Sequence, residues 1–118
     1  MKKTLFLLVL TVTVFQLQAQ VEFTALTFSN KYPKQNQQLN FVYNKKYSPL
    51  IKEAGVDIVV YKFSSKGLLV EEPAITKKGD LYNGSVKLDS NTTALLFSFS
   101  YGEEKDNNGK NGYIVRVY

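Results

Sequence analysis

The sequence contains no cysteine, no histidine and no tryptophan among its 118 residues. Without His or Cys, the usual ligand sets for zinc, copper and iron cannot be assembled. The same absence excludes Ser-His-Asp and Cys-His nucleophiles and any thiol–disulfide exchange by this chain. No glycine loop of the GxGxxG or Walker type occurs, which excludes nucleotide binding by those routes. We therefore expect a protein that is not an enzyme and carries no cofactor or metal.

Carboxylates are the remaining catalytic groups, and the adjacent pairs are Glu71-Glu72 and Glu103-Glu104. Neighbouring residues on a strand point to opposite faces, so neither pair converges on one substrate. Glycosidase-type catalysis needs two carboxylates that face each other across a cleft. The pattern instead predicts solvated charges in polar turns.

The first 19 residues have the pattern of an export signal. Lys2 and Lys3 form a short positive region, and residues 5–15 are an apolar run broken only by two threonines. Ala19 offers a cleavage point, and the apolar run is too short to span a bilayer. The sequence predicts a signal peptide over residues 1–19 and a periplasmic or secreted protein.

The mature chain, residues 20–118, has the length of one domain. It holds 13 of the 15 basic residues and all 10 acidic ones, so its net charge is only +3. No run of Lys and Arg forms a stripe, which argues against nucleic acid as a partner. No second apolar stretch approaches the roughly 20 residues of a membrane span.

Alternating apolar residues dominate the mature chain and predict short strands separated by turns. Residues 56–63 are apolar at both parities, which is typical of a central strand with two covered faces. Residues 68–70 predict a weak edge strand, because Pro73 follows it closely. Residues 45–55, 77–80 and 102–112 are predicted to be connections or turns. The inward-facing sets are predicted to be Leu39, Phe41 and Tyr43; Tyr82, Val86 and Leu88; and Leu95, Phe97, Phe99 and Tyr101.

About seven strands at spacings of roughly 8 to 12 residues predict an all-β fold, an immunoglobulin-like antiparallel β-sandwich. Loops at one end of such a sandwich converge to form a contact surface. Here those loops are residues 45–55 and 102–112. The candidate interaction residues are Tyr47, Lys52, Asp106, Asn108 and Tyr113.

Two further interpretations of these loops stay open. Residues 106–112 resemble a calcium loop, but Lys110 and Asn111 occupy positions that need an oxygen ligand and a glycine. The pattern favours a hairpin with Asn-Gly pairs over a looser calcium site built on Asp106 and Asn108. Tyrosines near loops could stack on sugar rings, or could cover the edge of the core with their hydroxyl groups in water.

Several segments resemble the N-terminal region of exported thioredoxin-family (TlpA-like) disulfide reductases from Bacteroidota. They are Phe41-Val42-Tyr43-Asn44, Ser48-Pro49-Leu50, residues 56–63, residues 97–102, Asp106-Asn107-Asn108-Gly109 and Gly112-Tyr113. In that family an immunoglobulin-like sandwich precedes a thioredoxin domain with its CxxC pair. The resemblance implies a fold and a compartment, but no redox residue, because no position here matches that pair.

The chain ends at Tyr118, where the family's catalytic domain would follow. The expectation is a non-catalytic binding or positioning domain whose partner is another envelope protein. Two alternatives remain open, a carbohydrate-binding module and a truncated piece of a longer reductase. The first is suggested by a similar Asp-Asn-Asn-Gly hairpin in starch-binding modules. The oligomeric state is not predicted.

Overall fold

The computed structural model describes residues 22–118, and all of its regular structure apart from one short 3-10 turn is β-strand. The predicted signal peptide over residues 1–19 and its cleavage point at Ala19 lie outside the described residues. Within residues 22–118, no helix is long and apolar enough to cross a bilayer.

Two antiparallel sheets make up the fold. The strands are β1 (Leu26–Phe28), β2 (Gln38–Asn44), β3 (Asp57–Ser64), β4 (Gly67–Glu71), β5 (Ile75–Lys78), β6 (Leu81–Lys87), β7 (Thr92–Tyr101), β8 (Glu104–Asp106) and β9 (Tyr113–Arg116). The four-stranded sheet has the order β1-β2-β6-β5. The five-stranded sheet has the order β4-β3-β7, and both β8 and β9 pair with β7.

The inner faces of the two sheets are joined by aromatic rings. Phe41 on β2 meets Phe97 on β7 edge-on at 5.0 Å between ring centroids. Tyr43 stacks on Phe99 at 3.8 Å with an interplanar angle of 13°. The predicted inward sets are confirmed as buried except Tyr101, which is 37% exposed at the end of β7.

Gly84 on β6 leaves the space that the core aromatic residues occupy. A Cβ at this position would lie 2.6 Å from Cζ of Phe41 and 2.7 Å from Cδ1 of Ile75. Atoms this close cannot both stay in place, so any larger residue would displace the side chains of Phe41 and Ile75 on the neighbouring strands.

The outer face of β3 differs from the prediction. Ile58 and Val60 are buried, but Val59 and Tyr61 are only half-buried and Phe63 is 39% exposed. The prediction that both faces of this strand are covered is therefore wrong. In the described part of the chain no second layer covers the five-stranded sheet from outside, although its sequence is apolar there.

Two short polar strands lie in segments that the sequence predicts to be turns. Lys77 and Lys78 belong to β5, and the turn that follows is only Gly79 and Asp80. Residues 102–112 contain β8, so the hairpin turn is at Gly102 and Glu103, and residues 107–112 leave the sheet. Both are edge strands, which obtain ladder hydrogen bonds from a neighbour and need no apolar face of their own. Residues 22–118 thus contain nine strand segments where about seven were expected.

Residues 45–55 form the predicted long connection, and it begins with a 3-10 turn over Lys45–Tyr47. Lys45 is buried, and its ammonium group donates to the carbonyl of Glu53 and lies 3.8 Å from a carboxylate oxygen of Asp80. A second lysine, Lys77, donates to the carbonyl of Ala54 over 3.0 Å. These contacts hold the connection against the four-stranded sheet.

Candidate binding face

The outer face of the five-stranded sheet carries an uninterrupted apolar row across four strands. The register places Val70 of β4 beside Tyr61 of β3, Tyr61 beside Leu96 of β7, and Leu96 beside Ile114 of β9. Val70 and Ile114, at the ends of the row, are 61% and 60% exposed. Tyr61 and Leu96 between them are half-buried.

A second row runs beside the first. Leu68 of β4 faces Phe63 of β3, which faces Ala94 of β7, and Arg116 of β9 closes the row. Leu68 is 52% exposed. The apolar residues of the two rows, together with Val59, form what we call the apolar face. It consists of Val59, Tyr61, Phe63, Leu68, Val70, Ala94, Leu96 and Ile114.

The outer face of the four-stranded sheet is more polar. Its register aligns Thr76, Asn83 and Val42 across three strands, with Asn40 beside Ser85 in the next row. Leu81 is the exposed large apolar residue on this face, at 38%. A sheet with one face on the core and one in water normally has mostly polar outward residues. The five-stranded sheet departs further from that rule, and its apolar face indicates a functional role.

A groove lies on the apolar face, where residues 107–112 rise beside the sheet. Its volume is about 630 Å³. Tyr61, Leu96 and Ser98 form the sheet side, and Asn107, Lys110 and Asn111 contribute from the loop. The groove therefore combines one aromatic ring with amide, hydroxyl and ammonium groups.

A buried carboxylate holds the base of this loop. Oδ2 of Asp106 accepts the hydroxyl groups of Tyr43 and Tyr113, both over 2.6 Å, and Oδ1 accepts the amide N–H of Asn108 over 3.0 Å. Asp106 is only 5% exposed. A charge in such a place requires hydrogen-bond donors, and the three groups supply them.

The loop itself folds back through left-handed backbone conformations. Asn108 has a φ of 48° and Lys110 a φ of 77°. The side-chain amide of Asn108 donates to the carbonyl of Gly112 over 2.9 Å, and the N–H of Gly112 donates to the carbonyl of Asn107 over 2.9 Å. These bonds give the groove a preformed wall.

The two tyrosines that contact Asp106 have raised pKa values. Burial raises the pKa of the Tyr43 hydroxyl well above its ordinary value, and the hydrogen bond to Asp106 raises it further. Burial and the same carboxylate raise the pKa of the Tyr113 hydroxyl in the same direction. Both hydroxyls are therefore fixed donors at any physiological pH.

The five candidate interaction residues fall into two groups. Asp106, Asn108 and Tyr113 come together in the hydrogen-bonded base of the loop, and the side chains of Asp106 and Tyr113 are buried. Tyr113 is therefore not the exposed aromatic ring that its position beside a loop suggested. Tyr47 is 57% exposed and Lys52 is exposed, both in the connection of residues 45–55. An interaction through Tyr47 and Lys52 stays a prediction.

Within residues 22–118, few groups are available for carboxylate catalysis or for a calcium site. Glu71 of the adjacent pair Glu71-Glu72 binds the ammonium group of Lys62 at 3.3 Å. The three hydrogen bonds to Asp106 occupy the oxygens that the looser calcium site would use. Among residues 22–118, no group of three His, Cys, Asp or Glu side chains is placed to hold a metal ion.

A second cavity, of about 300 Å³, opens between β1 and β9. Phe23, Leu26, Phe28 and Val115 supply most of its apolar lining. Glu22 and Lys31 stand at this cavity and form an ion pair with each other at 2.9 Å. Paired in this way, they offer no convergent acid and base.

The residues that sequence reasoning missed are Tyr61, Leu96 and Ile114. Their signal was present, because β3, β7 and β9 have apolar residues at the parity opposite to the buried set. That pattern predicts burial on both sides of β3, whereas an uncovered apolar face produces the same sequence.

No protein-family model matches this chain, and no curated protein or solved structure shows significant similarity to it.

Proposed function

We propose that this chain is an exported, non-catalytic binding module with an immunoglobulin-like fold, and that it binds a partner protein through the apolar face. The export signal and the family resemblance suggest that the partner is another envelope protein. The exposed apolar row from Val70 to Ile114 is the single observation that carries this proposal.

The strand order supports the immunoglobulin-like assignment. In immunoglobulin-like sandwiches, strands A, B, E and D form one sheet, and strands C, F and G form the other, with C′ added beside C in some types. If β1 to β7 are taken as A, B, C, C′, D, E and F, the observed orders β1-β2-β6-β5 and β4-β3-β7 follow this scheme. The segments β8 and β9 then share the role of strand G.

The exposed apolar area supports binding. Soluble monomers seldom expose large contiguous apolar patches, and such patches mark sites of interaction. Here four side chains of the apolar face are each more than a third exposed: Phe63, Leu68, Val70 and Ile114. They lie on β3, β4 and β9 on one side of the sheet, with Leu96 of β7 between Tyr61 and Ile114, so a flat partner surface could cover them together.

The charges around the apolar face indicate the chemistry of the partner. Lys105 of β8 lies on the same outward side and shares the Ser100 row with Asp57 of β3, and Lys110 lies at the groove. A partner with an apolar centre and an acidic group opposite Lys110 would complement this edge. Such complementarity sets orientation and association rate more than affinity.

Site-specific photo-crosslinking tests the proposal. A photoreactive residue at position 114, at the β9 end of the apolar row, should give one discrete adduct in intact cells. The same residue at position 83, on the polar face of the other sheet, is the matched control and should give none. With the adduct partner purified, Ile114→Lys should weaken binding by about tenfold or more, and Asn83→Lys should not. Equal crosslinking at both positions, or none at position 114, would overturn the proposal.

The family resemblance also leaves the alternative that these residues are the front of a longer reductase. The intact mass of the native product separates the two cases. A species of about 11 kDa, as expected after removal of residues 1–19, supports a self-sufficient module. A product several times heavier supports a domain that positions a following thioredoxin domain.

Carbohydrate binding is the second candidate function, and the groove favours it. An aromatic ring near amide groups is a common arrangement for stacking on a sugar and hydrogen-bonding its hydroxyl groups, and the half-buried Tyr61 lines the groove together with Asn107 and Asn111. Gel electrophoresis in starch and other polysaccharides tests it. Retarded migration that Tyr61→Ala abolishes and Tyr47→Ala preserves would support this function. Unchanged mobility of the native protein in every polysaccharide would discard it.

A further inference from the structure

The edge strand β4 has an unusual sequence for a strand with one open side. Its central residues Leu68, Leu69 and Val70 are 52%, 56% and 61% exposed. Edge strands present unpaired N–H and C=O groups, and proteins normally protect them with charges, prolines, bulges or short length. Within β4 no charge interrupts this apolar segment, so the edge is open to pairing.

The other edges of the described sheets are shorter or charged. The edge strand β5 carries Lys77 and Lys78, and β1 is only three residues long. On the far side of the five-stranded sheet, residues 107–112 divide the edge between β8 and β9, which have three and four residues. Among the edge strands in residues 22–118, β4 is the longest, with five residues.

The backbone groups that β4 offers can be identified from its hairpin. Ser64 and Gly67 close a two-residue turn and are paired directly across it. In antiparallel pairs the residues that bond to the neighbour alternate along the strand. Gly67, Leu69 and Glu71 therefore bond to β3, and the N–H and C=O groups of Leu68 and Val70 point to the open side.

We propose that β4 pairs in antiparallel fashion with β4 of a second copy of this chain, around a two-fold axis at Leu69. Leu68 then lies opposite Val70 of the partner subunit, and each such pair exchanges two backbone hydrogen bonds. This interface is isologous, since each copy uses the same surface. It uses the open backbone edge of β4 rather than the outward side chains of the apolar face, and it does not rest on the proposed function.

Charge complementarity favours this register. With the axis at Leu69, Lys66 in the turn before β4 and Glu72 of the partner subunit, directly after β4, meet at each end of the paired segment. Moving the axis by one residue keeps the outward backbone groups in phase, but it brings Lys66 toward Val70 or Ala74 instead. Both charges lie just outside the strands, where opposite charges attract and like charges repel. Only the first register brings both oppositely charged pairs together and matches the apolar segment to itself.

Pairing in this way joins two five-stranded sheets into one continuous sheet. Leu68 and Val70 lie on the same outward side as Tyr61 and Phe63. The apolar faces of the two copies would therefore meet at the axis and form one extended surface. The dimer would present two binding faces side by side, which allows bivalent attachment.

An introduced cysteine tests the geometry directly, because the native chain has none. With the axis at Leu69, residue 69 faces its own copy at a Cα separation of about 4.5 Å, within the range for a disulfide. Leu69→Cys should give a covalent dimer under mild oxidation. Leu68→Cys is the matched control with similar exposure. Its two copies would be about 8 Å apart, too far for a disulfide, so it should stay largely monomeric.

Charge reversal tests the register in solution, with sedimentation equilibrium as the readout. The native mature chain should show a concentration-dependent doubling of mass. Lys66→Glu should raise the dimer dissociation constant by about tenfold, since it creates two like-charge pairs. The double variant Lys66→Glu with Glu72→Lys should restore the native value within about threefold. A mass that stays monomeric at every concentration, equal crosslinking at positions 68 and 69, or no rescue by the double variant would overturn the proposal.

Discussion

Tyr43 donates its hydroxyl to Asp106 over 2.6 Å, and the two residues are 63 positions apart in the chain. One lies on β2 and the other on β8, so this bond ties the four-stranded sheet to the edge of the five-stranded sheet. The same carboxylate oxygen accepts from Tyr113 on β9. Asp106 therefore holds together strands from both layers at the point where the loop of residues 107–112 leaves the sheet.

Removing the Tyr43 hydroxyl should be costly, whereas the same change at Tyr82 should not. Hydrogen bonds to charged groups contribute about 1.5–3 kcal/mol, so Tyr43→Phe should lower the free energy of unfolding by that amount. The hydroxyl of Tyr82 is buried and has no hydrogen-bond partner among residues 22–118. Tyr82→Phe should leave stability unchanged or raise it by up to about 1 kcal/mol. Urea denaturation measures both, and equal losses would show that Asp106 does not stabilise the fold in this way.

The raised pKa values of Tyr43 and Tyr113 predict how stability changes in alkali. A group whose pKa is raised on folding stabilises the native state fully below its unfolded pKa, which is near 10 for tyrosine. That contribution is lost as the pH rises from about 10 through the raised value. We expect the free energy of unfolding to fall above about pH 10, with no contribution from these two groups to changes at lower pH.

Tyrosinate absorbance checks this expectation. Of the eight tyrosines in the chain, Tyr43 and Tyr113 should ionise only in the step in which circular dichroism reports unfolding. The Tyr43→Phe variant should lose one tyrosine from that step. Ionisation of all eight in the folded protein would contradict the assignment.

Gly84→Ala should destabilise the fold because its Cβ would collide with Phe41 and Ile75. Overpacking of this kind costs about 1–3 kcal/mol. Ile75→Val removes the Cδ1 atom at 2.7 Å, so it should recover part of that loss when combined with Gly84→Ala. A double-mutant cycle measures the coupling. Strictly additive losses would mean that the strain lies elsewhere.

The sequence predicts the layers of this fold better than its edges. Alternation over residues 39–43 and 95–99 identified the buried rings, because a two-residue period directly reports which side of a strand meets the core. The short polar edge strands β5 and β8 were not predicted from the sequence. Their hydrogen bonds come from neighbours that are distant in sequence, and no local pattern encodes them.

The candidate site was predicted in part, and for a physical reason. The sequence prediction names Asp106, Asn108 and Tyr113 among five candidate interaction residues, and these three come together in the structure. Their hydrogen bonds lie within the protein rather than to a partner. The sequence could not indicate this, because the pattern of a polar loop does not show which carboxylate is buried. The apolar face of β3 was visible in the sequence but had the signature of a covered strand. Composition alone cannot separate a face covered by the chain itself from one left for a partner.

Substitutions at Asn108 should open the loop of residues 107–112 without unfolding the sheets. Asn108→Gly keeps the left-handed backbone accessible but removes the amide bond to the Gly112 carbonyl. Loss of one such bond, about 1 kcal/mol, should raise the rate of tryptic cleavage after Lys110 about fivefold. Asn108→Ala removes the same amide bond and also holds alanine in the left-handed conformation at a φ of 48°. That conformation adds about 1–2 kcal/mol to the cost of keeping the loop closed. That variant should be cleaved about 30-fold faster or more.

Cleavage after Lys105 provides the internal control for this experiment. Lys105 lies in β8 and pairs with Ser100 of β7, so its backbone is protected by the sheet rather than by the loop. Mass spectrometry of the fragments should show acceleration after Lys110 and little change after Lys105. If both sites accelerate together, Asn108 stabilises the whole edge of the sheet. If neither does, the wall of the groove is held by the remaining backbone bonds between Asn107 and Gly112, and the side-chain amide of Asn108 is available to a ligand.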